Sequence, residues 1–136
     1  MKKILFIMLF IVVLSGCINN EDLLNEELQE SISTVVSDTN NTEIDISKLI
    51  DFDWKEAYLF APYTSQDDIN RELGFKFKDK SDIHIRDDIY LLLFVNENEV
   101  VHFVEIERQK SDFLISDGSE KITPENPMIT IKRINE

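Results

Sequence analysis

The sequence predicts an α+β fold: a small antiparallel sheet with a central hairpin and one short helix, behind an N-terminal leader and spacer. Three observations carry this. Strand-type segments outnumber helical ones, their connections are short, and two apolar runs are separated only by Asn96-Glu97-Asn98-Glu99. Short links favour antiparallel neighbours, because a parallel pair needs a crossover of a dozen or more residues. A length of 136 residues suits one domain. Neither an internal repeat nor a heptad is visible.

The elements follow in order. Glu43 to Ser47 alternates polar and apolar, as a short strand does. Lys55 to Ala61 reads as a strand stopped by Pro62, since the residue before proline is biased to extended geometry. Ser65-Gln66-Asp67-Asp68 matches the S-x-x-[DE] helix start, Ile69 and Leu73 lie one turn apart, and Gly74 can take the left-handed stop position. A helix over 66–73 follows. Ile89–Val95 and Val100–Glu107 form the hairpin. Symmetric pairing sets Val95 opposite Val100, Leu93 opposite His102 and Leu91 opposite Val104. Both faces of the first run are apolar, so it should be central and covered on both sides. Asp112 to Ser116 is a further strand, with a turn at Asp117-Gly118. Pro124 and Pro127 mark a loop, and Ile129, Ile131 and Arg133 alternate along a final strand. The domain is thus expected over 43–136.

The N-terminus carries an address. Met1-Lys2-Lys3 is a basic start, and Ile4 to Leu14 is an unbroken apolar run of 11 residues. That run is too short to span a bilayer, which takes about 20 apolar residues. It has the form of a secretory signal peptide. Leu14-Ser15-Gly16-Cys17 resembles the lipobox of bacterial lipoproteins. The resemblance implies a signal peptide over 1–16, cleavage between Gly16 and Cys17, and a diacylglyceryl thioether on Cys17. It further implies a lipid-anchored protein on the extracytoplasmic face of the bacterial cell membrane.

Charge is uneven. The whole chain has 14 Lys and Arg against 27 Asp and Glu, a formal net of −13. Such a balance argues against nucleic-acid binding, which needs clustered cations. Ile18 to Ser47 holds eight acids and no Lys or Arg. Together with its Asn, Ser and Thr content, this makes 17–42 an acidic tether, expected to be mobile and dispensable for folding. Leu24, Leu28, Ile32 and Val35 recur at helical spacing, which leaves open a transient or docked amphipathic helix across Glu21–Val36. An acidic spacer would hold the domain off an anionic surface.

Phe52-Asp53-Trp54, then Tyr58, Phe60 and Pro62-Tyr63-Thr64, resembles a segment of small uncharacterised lipoproteins from Gram-positive bacteria. Lys55 departs from that pattern, where an acid is expected after the Trp. The resemblance implies no activity and transfers no catalytic residue.

Candidate chemistry is sparse. One cysteine excludes an intrachain disulfide and a Cys-rich metal site. Metal-binding motifs are absent from the sequence, and no cofactor is implied. Asp51 and Asp53, on one face of a strand, could hold Ca²⁺ only weakly, and a solvated face is the plainer account. His102 falls on an apolar hairpin face, where a core histidine is expected. His84-Ile85-Arg86-Asp87-Asp88 sets an imidazole beside carboxylates, a pairing used in catalysis, but without a nucleophile motif. Asp53, Trp54 and Tyr63 could form an aromatic recognition patch, although a lone Trp is as well suited to the core. The favoured function is a lipid-anchored, non-catalytic surface interaction module for a cationic or neutral macromolecule. The alternative is a small envelope hydrolase using His84 with Asp87 or Asp88. A transporter-feeding ligand binder normally needs two lobes and a longer chain.

Overall fold

The computed structural model describes residues 23–134, so the expected signal peptide over 1–16, the lipobox-like motif and the expected lipidation site Cys17 lie outside the described residues. The described residues form an α+β fold. Its elements are α1 (Glu26–Ser37), β1 (Glu43–Asp45), β2 (Glu56–Phe60), α2 (Gln66–Leu73), β3 (Ile89–Asn96), β4 (Glu99–Glu107), β5 (Ser111–Ile115) and β6 (Met128–Arg133). Two three-stranded antiparallel sheets stand where the sequence suggested one: β2-β3-β4 and β1-β6-β5. The strand expected over 43–47 ends at Asp45, because Ile46–Lys48 turns into a 3₁₀ segment with the Asp45 carboxylate accepting from the Ser47 N–H.

The β3 strand is the centre of the molecule. Seven consecutive residues, Ile89 to Val95, are buried. Tyr90, Leu92 and Phe94 enter one core with α1 and the β1-β6-β5 sheet. Ile89, Leu91, Leu93 and Val95 enter a second core with Ile69 and Leu73 of α2. The apolar character of both faces has its cause here: each face is roofed by a different layer. Helix α2 has the predicted bounds, with Ser65 Oγ accepting from the Asp68 N–H and Gly74 at φ +82°.

The hairpin register departs from the symmetric pairing. Val95 pairs with Val100, but Phe94 pairs with His102 and Leu93 with Phe103, so Val101 is an extra residue in β4. One residue of slip exchanges the faces of a strand. Beyond the bulge, Val104 and Ile106 therefore join the α1-side core, and Phe103 joins the α2-side core.

The largest correction concerns the tether. From Leu23 onward, the segment belongs to the folded unit. In α1, Leu28, Ile32 and Val36 are at most 3% exposed. Asn25 caps the helix, its Oδ1 accepting from the Leu28 N–H at 2.9 Å, and Glu26 and Glu27 complement the positive end of the dipole. The segment also closes the β4 edge. Leu24 bridges Phe103, the Asn25 N–H donates to the Phe103 carbonyl, and the Glu105 N–H donates to Gln29 Oε1. An uncovered edge strand is a template for aggregation, so the N-terminal segment does more than space the domain. Many acids and few apolar residues point to a tether, but three aliphatic residues at i, i+4 and i+8 suffice when an open sheet face awaits them.

The C-terminal end of α1 has no basic residue of its own. Arg133, from β6, supplies the charge. It donates to the carbonyls of Val36 at 2.7 Å, and of Asp38 and Asn41 at 3.0 Å. Charge-assisted bonds to orphan helix carbonyls contribute about 1.5–3 kcal/mol. Arg133→Met is expected to lower unfolding free energy by about that amount, measured by urea denaturation, while the exposed neighbour change Lys132→Met stays within about 0.5 kcal/mol.

Candidate functional site

The strip His84–Asp88 begins within the 3₁₀ turn Ile83–Ile85 and runs to the start of β3. Its ionic partners are not those of a catalytic pair. Arg86 holds both Asp88 oxygens, at 2.8 and 2.9 Å, and also reaches Glu105 at 2.9 Å and the Ser81 carbonyl at 3.2 Å. The hydrogen bonds from Arg86 hold the Asp88 carboxyl below the usual carboxylate range. The same contacts raise the guanidinium further above its ordinary value, chiefly through Asp88. The result is a clamp between the β3 start and β4, fixed in part by the bulge that brings Glu105 onto this face.

His84 is exposed and faces a hollow of about 180 Å³ lined with Thr64, Ser65, Gln66 and Asp79. Among the described residues, no hydrogen bond or ion pair joins it to Asp87 or Asp88. The acid beside it is Asp79, already committed to its own loop. Asp79 accepts from the Ser81 N–H at 2.8 Å, the Ser81 hydroxyl at 2.6 Å and the Ile83 N–H at 3.2 Å. Gln66 and Asn70 of α2 staple the same loop. Gln66 donates to the Phe77 carbonyl and accepts from the Asp79 N–H, and Asn70 accepts from the Phe77 N–H. The polar side chains here are spent on loop backbone.

Asp53 and Trp54 lie ahead of β2, and Tyr63 follows it. About 17 Å of strand separates the two groups, so the structure does not assemble the three into one patch. Trp54 is half-buried, edge-on to Phe94 at 5.7 Å. Tyr63 is 62% exposed, with φ +66° and its N–H donating to the Ile83 carbonyl. Asp51 and Asp53 are exposed but sit in an irregular segment ahead of β2, so the shared strand face that a weak Ca²⁺ site would need is not formed. Among the described residues, no cluster of three or more His, Cys, Asp or Glu could hold a metal ion.

What the structure does bring together is an aromatic corner. Phe52 packs on Phe94 at 5.2 Å and on His102 at 4.1 Å, with Trp54 completing the group. Beside it, between α1 and residues 48–52, is a hollow of about 240 Å³ lined in part by Glu27, Lys48, Asp51 and Phe52. The sequence sets Phe52 beside Asp53 and Trp54, but neither Phe52 nor Glu27 is marked by it as part of a recognition patch. The spacing of Phe52 and Trp54, two apart, was the available signal.

Comparison with known proteins finds no match to this chain: no family model, no curated protein and no solved structure matches it.

His102 is a core-edge histidine, as its setting on the hairpin suggested, but it faces Phe94 and Phe52 instead of Leu93. Its Nδ1 is buried without a hydrogen-bond partner among the described residues. Burial lowers its pKa, outweighing a backbone contact with Leu23 and the Asp51 carboxylate, which pull it up. A depressed folded-state value means the neutral ring is favoured in the fold. The stability it contributes is present above the unfolded value of about 6.5 and is lost as pH falls through the lower folded value. Urea midpoints at about pH 7.5 and about pH 5.5 test this. The drop between them should be larger for the native chain than for His102→Leu.

Proposed function

We propose that this protein is a lipid-anchored module of the bacterial cell envelope, held at the extracytoplasmic membrane face through Cys17, that binds a partner without catalysis. The observation that carries the reading is the Leu14-Ser15-Gly16-Cys17 motif, placed six residues ahead of the described fold. No helix among the described residues is long and apolar enough to cross a membrane. Two acyl chains on one cysteine are what stable anchoring needs, since a single chain binds only marginally.

The corner at residues 51–54 is the binding surface we favour. Asp51 and Asp53 offer exposed carboxylates on an aromatic base, and Glu27 lines the hollow beside them. That suits a cationic or neutral surface macromolecule, steered by the acidic field of the chain. Tyr63, at the other end of β2, stands apart from it.

Replacement of Cys17 by Ser should leave the precursor uncleaved at this site and abolish incorporation of labelled fatty acid. Continued labelling of the variant would refute anchoring at Cys17. Binding of an oligolysine peptide at physiological salt should fall for Asp51→Asn/Asp53→Asn and hold for the charge-matched Glu30→Gln/Glu43→Gln. Equal losses would reduce the corner to a share of total charge.

A further inference from the structure

We infer that the segment Phe75–Lys80 is a membrane-facing surface, docked on the anionic headgroups of the bilayer in which Cys17 is anchored. This rests on the lipid-anchor reading above and adds an orientation to it. The first support is reach. Six residues run from Cys17 to Leu23, where the described fold begins. Fully extended, they span at most about 22 Å. Whatever lies around Leu23 is therefore held close to the bilayer. Leu23 lines a groove of about 480 Å³ shared with Phe75, Lys76, Phe77 and Lys78.

The second support is chemistry. Phe75-Lys76-Phe77-Lys78-Asp79-Lys80 alternates along an extended stretch. Phe75 and Phe77 are half-buried and pack with Leu23 and Leu24 against the α2-side core. Lys76, Lys78 and Lys80 point outward and are exposed. None of the three has a carboxylate partner among the described residues, whereas Lys48, Lys55 and Lys121 each have one. Asp79, the acid within the strip, is turned inward onto Ser81 and Ile83. A chain of net −13 thus presents three unpaired lysines beside the end of the fold nearest its anchor. Glu21 and Asp22 in the link, and Glu99 across the groove, oppose them. The attraction is accordingly modest and salt-sensitive. Lysines near an anionic surface interact within roughly a Debye length of it, while aromatic rings suit the headgroup level.

The test uses the lipidated mature protein in vesicles of phosphatidylcholine with phosphatidylglycerol, against phosphatidylcholine alone. Lysine acylation is read by mass spectrometry, with exposed Lys132 on β6 as the internal reference. In the anionic vesicles, Lys76, Lys78 and Lys80 should label about fivefold more slowly relative to Lys132, and the protection should disappear near 1 M salt. In K76E/K78E, where only exposed side chains change, Lys80 should lose its protection while the melting temperature holds. Even labelling of the lipidated protein in both vesicle types overturns the docking alone. Protection that persists on neutral vesicles and grows with protein density assigns the face to a second copy and overturns it too. An unmodified Cys17, seen in the mass of the N-terminal peptide, overturns the anchor reading and the docking with it.

Discussion

Deleting residues 23–37 will leave a chain without a cooperative unfolding transition. The deletion removes α1 and with it Leu28, Ile32 and Val36, all buried against Tyr90, Leu92, Phe94, Val104 and Ile106. Each such aliphatic burial is worth about 1.5–3 kcal/mol, so three together approach the whole stability of a small domain, about 5–15 kcal/mol. The loss does not stop there. Without Asn25 and Gln29, the backbone of β4 at Phe103 and Glu105 has no partner on its outer side. The truncated protein should therefore aggregate as well as unfold. A graded version is Ile32→Ala, expected to cost about 2–5 kcal/mol by urea denaturation. Unchanged melting on deletion would mean that the helix is an ornament on an independent domain, as a tether would be.

Phe94→Ala should cost about 3–5 kcal/mol, the largest single-residue loss in the sheet. Phe94 is fully buried in the central strand, opposite Ala57, with the rings of Phe52 and Trp54 edge-on to it. Ala57 is too small to fill the gap, and the half-buried rings would have to slide inward to close it. Trp54 is the chain's single tryptophan, so its emission reports the event directly. Its folded-state spectrum should shift to longer wavelength as water reaches the indole. Phe77→Ala, at a half-buried site on the other face, is the control and should cost less and leave the emission in place. A small loss for Phe94→Ala would show that the corner collapses freely around the cavity.

Local elements were legible because their signals are short-ranged. Ser65, Asp68 and Gly74 define α2 within ten positions, and the cap bonds form as that pattern requires. The doubly apolar run Ile89–Val95 marked the central strand, since only a strand covered on both sides tolerates it. The candidate site was legible only in part. Trp54 and Tyr63 sit nine positions apart with the expected strand Lys55–Ala61 between them, and the five-residue strand that forms carries them to opposite ends. Asp88 looked available to His84, but Arg86 had a second acid to recruit, Glu105, from a strand nineteen residues away in sequence.

Chemistry between residues close together along the chain was enough for the hairpin, α2 and the alternating strands. Tertiary structure alone decided the rest. It split the strands into two sheets, so that β3 could be covered on both faces by different layers. It placed the bulge at Val101, which turns Phe103 to one core and Val104 to the other. And it decided between the transient and the docked helix that the spacing of Leu24, Leu28, Ile32 and Val35 left open, since the value of the buried side chains of α1 is set by the surface waiting for them and not by the segment that carries them.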